Sequence, residues 1–177
     1  MNNIKYLLLI FILFLALNSP ALASRNTDSY DGNIFPIYAG NGAIVPPQTD
    51  LKTSISNKRV SVLFFYLDDS AESKALAPAI SGLDLIWKNN IDIIALTTDE
   101  IQGTNENDPY EASYYWNGLI PQTLIIDDEG VVQYDKNGMI DIEEINKIIG
   151  DIKGIKTSES SFSIQSFNEY NSRISED

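Results

Sequence analysis

Two rhythms of apolar and polar residues organise the middle of the chain. Val60-Ser-Val-Leu-Phe-Phe-Tyr-Leu67 and Ile91-Asp-Ile-Ile-Ala-Leu96 are nearly continuous apolar runs of strand length, the pattern of strands covered on both faces of a sheet. Between them Leu76, Ile80, Leu83 and Trp87 recur at helical spacing and give a helix one apolar face. Asp69-x-x-Glu72 resembles a capping box and predicts the start of that helix at Asp69. Pro78 lies inside it and removes one backbone donor, which predicts a kink.

Punctuation residues extend the pattern in both directions. Tyr30 to Pro47 mixes glycine and proline with aromatics and predicts a short strand around Ile34–Tyr38, a Gly40-Asn-Gly42 turn and an extended Pro46-Pro47 exit. Thr49-Asp50 offers an N-cap for a helix ending near Asn57. Asp108-Pro109 starts a short aromatic helix over Tyr110–Trp116, and Leu119-Ile-Pro-Gln-Thr-Leu-Ile-Ile126 reads as a strand that opens on a proline. Asp128-Glu-Gly130 turns the chain into Val131–Tyr134 as a hairpin, and Asp141-x-x-Glu144 caps a last helix through Ile149. The order predicts an α/β fold with a central mixed sheet flanked by helices. It divides into a leader (1–23), an N-terminal extension with the first strand (24–48), the α/β domain (49–150) and a polar, flexible C-terminal tail (151–177).

The leader has Lys5, an apolar run from Tyr6 to Leu17 and an Ala21-Leu-Ala23 site, the pattern of a secretory signal cut after Ala23. Its apolar run is shorter than the ~20 residues of a spanning helix. Net charge is −13, one unit more negative once Lys5 is removed. So acidic a surface repels nucleic acid and anionic headgroups, which leaves proteins or cations as the expected partners. There is no cysteine and no histidine, so the chain lacks the groups for Ser-His-Asp or Cys-His catalysis and for ordinary zinc and haem sites. No cofactor or metal is expected. Asp68, Asp69 and Glu72 read as acids suited to a helix N-terminus, without EF-hand spacing.

Phe65-Tyr-Leu-Asp-Asp-Ser-Ala-Glu-Ser-Lys-Ala-Leu-Ala-Pro78 resembles the thioredoxin pattern F-W-A-x-W-C-G-P-C-K-x-x-A-P, with Ser70 and Ser73 at the two cysteine positions. Ile120-Pro121 resembles that family's cis-proline loop. The resemblance covers about residues 50 to 150 and implies a thioredoxin-like fold. Thiol–disulfide exchange needs a thiolate, so this chain cannot perform it. Two further positions have left the redox pattern: Phe64 stands where the family has a buried, proton-handling aspartate, and Asp69 where it has a tryptophan.

A narrower resemblance adds the leader, the Asp31–Pro47 block and Tyr114-Tyr-Trp-Asn-Gly-Leu-Ile-Pro-Gln-Thr123. Together these blocks are similar to the cyanobacterial and chloroplast thylakoid membrane photosystem I accumulation factors. That resemblance implies a thylakoid-associated, non-redox assembly or stability factor whose partners are photosystem I subunits or their assembly intermediates. Such a factor would meet the membrane through a partner.

For the binding role the candidate residues are Ile120 and Pro121, Ser70 and Ser73 at the helix start, Trp116 as an aromatic wall, and Phe35 and Tyr38 in the N-terminal block. Cis geometry at Pro121 would leave the Ile120 backbone open to pair with an extended segment. The plainer reading makes the serines capping residues and two of Tyr114, Tyr115 and Trp116 core. Two alternatives stay open: a periplasmic peptide-binding chaperone unrelated to photosynthesis, and an unusual enzyme in which Lys74 activates Ser70. Glu72, Asp68 and Asp69 stand close to Lys74 in sequence, and an ion-paired lysine is a poor base.

Overall fold

The computed structural model describes residues 25–104 and 106–155. The leader and the chain from 156 onward lie outside them.

β1 (Val60–Tyr66) is buried along its whole length, and its alternation explains why it is apolar throughout. Val62, Phe64 and Tyr66 point into one core with Leu76, Ile80, Leu83 and Trp87, while Leu63 and Phe65 point into a second with Leu51, Ile94 and Leu124. β2 (Ile91–Thr97) lies parallel to β1, from Val60 beside Ile91 to Tyr66 beside Thr97. β3 (Gln122–Ile126) runs antiparallel on the other side, Phe65 beside Gln122, and β4 (Val132–Asn137) pairs antiparallel with β3. The order β2-β1-β3-β4 makes the expected thioredoxin-like α/β sandwich with a mixed sheet.

In chain order the helices are α1 (Ile34–Tyr38), α2 (Leu51–Ser56), α3 (Ala71–Trp87), α4 (Thr98–Ile101) and α5 (Ile142–Lys153). α3 is the crossover from β1 to β2, and its predicted stripe of Leu76, Ile80, Leu83 and Trp87 is buried. Ile145 and Ile149 of α5 complete the same core, and the Trp87 indole donates to Asn146 at 2.8 Å. Ser61, the polar residue inside β1, donates to Ser54 at 2.7 Å; Ser54 donates to Asp92, which pairs with Arg59 at 2.8 Å. A buried hydroxyl is thus satisfied by a chain of partners that ends on a half-exposed ion pair.

Several expectations are corrected. Ile34–Tyr38 is helix α1 and not a strand. Asn33 caps it by accepting the Phe35 N–H, and Ile34 and Phe35 are both buried, with the Phe35 ring edge-on to Phe64 and Tyr66. Adjacent residues of a strand face opposite ways, so burying this pair together favours a helical turn over the β-propensity of Ile-Phe-Pro-Ile-Tyr. β2 consequently remains the edge of the sheet. The Val45–Pro46 bond is cis, so the exit is a sharp bend and not extended. α3 is capped by Ser70 and not Asp69, and it runs as one helix through Pro78. A single 3-10 turn, Ala112–Tyr115, replaces the expected aromatic helix. β3 begins after Pro121, as proline's missing donor requires. α5 continues past Ile149 to Lys153, where Gly154 ends it in the left-handed region, so the boundary expected at 150 falls inside a helix.

Phe64 is fully buried between the Phe35 and Tyr66 rings. Phe64→Ala is expected to cost about 3–5 kcal/mol of stability in chemical denaturation, the range for deleting a core aromatic; a loss below about 1 kcal/mol would show that this core is not closed as described.

Candidate functional site

The tip of α3, where the sequence aligns with a redox motif, is turned inward. Ser70 accepts the Ser73 N–H at 3.2 Å, and the Ser73 hydroxyl accepts the Leu67 N–H at 3.3 Å. Ser70 therefore has the capping role that the plainer reading gives it, while Ser73 satisfies a backbone donor of the turn between β1 and α3. Ser73 is buried and not available to a partner, which corrects its candidacy; Ser70 is half-buried.

Over this tip lies the chain's own segment Arg25–Asn33, a strap. Asp28 accepts the Ala71 N–H at 2.9 Å, and Asp68, at the end of β1, accepts the Ile34 N–H at 3.0 Å. Asn33 donates to the Tyr66 hydroxyl at 2.9 Å. Beneath the strap sits Lys74, 0% exposed. Its ammonium donates to the Thr27 carbonyl at 3.0 Å, to the Ser29 carbonyl and to the Asp31 carboxylate at 3.0 Å. Tyr38 closes the cage: its hydroxyl donates to the same Asp31 oxygen at 2.6 Å, and its ring centre lies 5.6 Å from the ammonium. The expected partners Asp68, Asp69 and Glu72 do not pair with Lys74, because its side chain runs under the strap. Ser70 is not among its partners either, so Lys74 is not placed to act as a base on Ser70.

Ionisation follows these contacts. The Tyr38 hydroxyl, with Lys74, holds Asp31 below the usual carboxylate range, while burial and Asp31 push Tyr38 up to about 12. Asp68 goes the other way: burial raises it, the Ile34 N–H offsets only part, and the charges of Glu100 and Asp69 add to the rise.

At the same end of the sheet, the Ile120–Pro121 bond is cis. Buried Gln122 fixes the loop before it, accepting the Asn117 N–H at 3.0 Å and donating to the Tyr115 carbonyl at 3.0 Å and to Asp135 at 2.8 Å. The Pro121 carbonyl accepts the Gly138 N–H at 2.8 Å, and Asn137 donates to the Leu119 carbonyl at 3.2 Å. Neither the N–H nor the carbonyl of Ile120 has a hydrogen-bond partner among the described residues, and the same is true of Gly118 at the loop's tip. Leu119 and Met139 flank Ile120, 61% and 58% exposed.

The other candidates divide by burial. Phe35 is fully buried in the core and cannot present itself to a partner, a correction; Pro121 is also buried and acts through backbone shape. Tyr38 is half-buried and committed to Asp31. Tyr115 and half-buried Trp116 pack on the second core, leaving Tyr114 as the exposed member of the trio. Sequence reasoning missed Asp28, Asp31, Leu119, Gln122 and Met139. One signal was available: Lys74 shares a helical face with Ala77 and Ser81, all buried, which is no place for a solvated lysine.

No protein-family model matches the chain. It is 33% identical over 156 residues to the thylakoid membrane protein slr1796 of Synechocystis sp. PCC 6803, covering 87% of this chain and 78% of that protein. Among solved structures it is similar to chloroplastic thioredoxin z, with TM-score 0.46 and 15% identity over 59% of this chain and 88% of the other. The exposed lipoprotein thioredoxin Etrx1 of Streptococcus pneumoniae gives TM-score 0.44 and 13% identity over 55% and 89%.

Removing one partner of a buried ion pair is costlier than removing the charge itself. Asp31→Ala is therefore expected to lower the melting temperature more than Lys74→Met; the reverse order in thermal scans would overturn the cage. Asp68, with its folded pKa raised above about 4, penalises folding above that value and ceases to do so as pH falls through it. Asp68→Asn keeps an acceptor for Ile34, so it should melt higher than the parent at pH 7, with the gain fading toward pH 4. A pH-independent difference would contradict the assignment.

Proposed function

Because the chain belongs to the family of the Synechocystis thylakoid membrane protein slr1796, we propose that it is a non-redox, thioredoxin-like factor of the thylakoid that holds extended protein segments and so supports photosystem I accumulation. The observation that carries the docking role is the unpaired backbone of Ile120 at the cis-proline loop, beside a Leu119 carbonyl held by Asn137 and a Pro121 carbonyl held by Gly138. Two free main-chain groups at a rigid loop are what strand addition needs. The strap, meanwhile, takes the first backbone donor of the α3 tip, with Asp28 accepting the Ala71 N–H.

In this reading the leader exports the chain toward the lumen, and a partner brings it to the membrane. Among the described residues no helix is long and apolar enough to cross a bilayer. The resemblance of the Asp31–Pro47 and Tyr114–Thr123 blocks to photosystem I accumulation factors supports the client; the relative's thylakoid name supports the place.

Deleting the gene should lower photosystem I reaction-centre content while photosystem II is retained, read from low-temperature fluorescence and immunoblots. Complementation by Ser70→Ala should restore most of that content, since the substitution removes a cap worth about 0.5–2 kcal/mol and no chemistry. Unchanged photosystem I in the deletion strain would sink the client assignment, and a folded but inactive Ser70→Ala protein would favour an enzyme.

A further inference from the structure

Beside the proline loop, a groove of about 490 Å³ runs between α3 and the segment joining β4 to α5. One wall is Ala75, Pro78 and Ala79, the other Met139 and Ile140. The Gly138 N–H on the Pro121 carbonyl ties the segment that leads into the second wall to the proline loop. Ala75 and Ala79 lie on one helical face and are small, which is what makes a trough there and not a ridge.

The groove's floor is apolar and its rim is acidic. Asp141 and Glu143 line it, exposed Glu144 follows them, and exposed Glu72 lies one turn ahead of Ala75 on α3. The single cation in the lining is Arg25, whose guanidinium donates to the Ala75 carbonyl at 2.9 Å. We propose that this groove takes an extended segment of another protein that carries lysine or arginine beside an aliphatic side chain. The aliphatic group fills the alanine trough against the adaptable thioether of Met139, and the cation meets the carboxylate rim. A second copy of this chain is disfavoured as occupant by its net charge of −13. The proposal rests on the docking reading above and adds what docks.

The test titrates the purified chain with three short synthetic peptides that differ only at two positions flanking a central valine, filled by lysine, glutamine or glutamate. Backbone amide shifts and calorimetry are the readouts. The lysine peptide should bind roughly tenfold or more tighter than the glutamate peptide, shift the Ile120, Met139 and Ala79 amides, and lose its advantage in concentrated salt. Glu143→Lys should reverse the preference, and Ala79→Phe, at a half-exposed helix position, should weaken all three peptides. Equal affinity for the three overturns the charge selectivity but leaves the docking reading standing. No shift at Ile120 or Met139 with any peptide overturns both.

Discussion

A single buried ammonium organises the end of the molecule where function is expected. Lys74 lies on the inward face of α3, and the partners that satisfy it come from the strap: two carbonyls and the Asp31 carboxylate. An unpaired charge there would be prohibitive. The strap therefore has to lie across the helix tip for the domain to close. Once there, its Asp28 serves the first N–H of α3, and the N–H of Ile34, which follows it, serves Asp68, so strap, helix and strand end are fixed by one network.

Two features at this end of the sheet are consequently built separately. The strap lies over the start of α3, where the chain has serines and no thiol. The proline loop is untouched by this. Its support comes from below, through Gln122, and from β4, through Asn137 and Gly138. That arrangement keeps Ile120 open whether or not the neighbouring helix tip has chemistry.

Local pattern carried much of this into view. The alternation along β1, the spacing of Leu76, Ile80, Leu83 and Trp87, the hairpin and the proline loop were all legible, because each depends on residues close in sequence. α1 was not, because Ile34–Tyr38 has strand-like residues and becomes helical through contacts with Phe64, Tyr66 and Asp68 far along the chain. The α3 cap was displaced by one residue because Asp69 and Ser70 are both good N-caps, and it is Ser70 that accepts the Ser73 N–H. The Lys74 cage joins groups more than forty positions apart, beyond any local signal. The site was legible where it is a loop and hidden where it is a long-range closure.

The central claim, that docking has moved from the closed helix tip to the proline loop, is tested most directly by position-specific photocrosslinking in thylakoid preparations. A photoreactive side chain at exposed Leu119 should capture a photosystem I subunit or assembly intermediate, while one at exposed Tyr30 on the strap should not. Capture from Tyr30 with none from Leu119 would contradict the account.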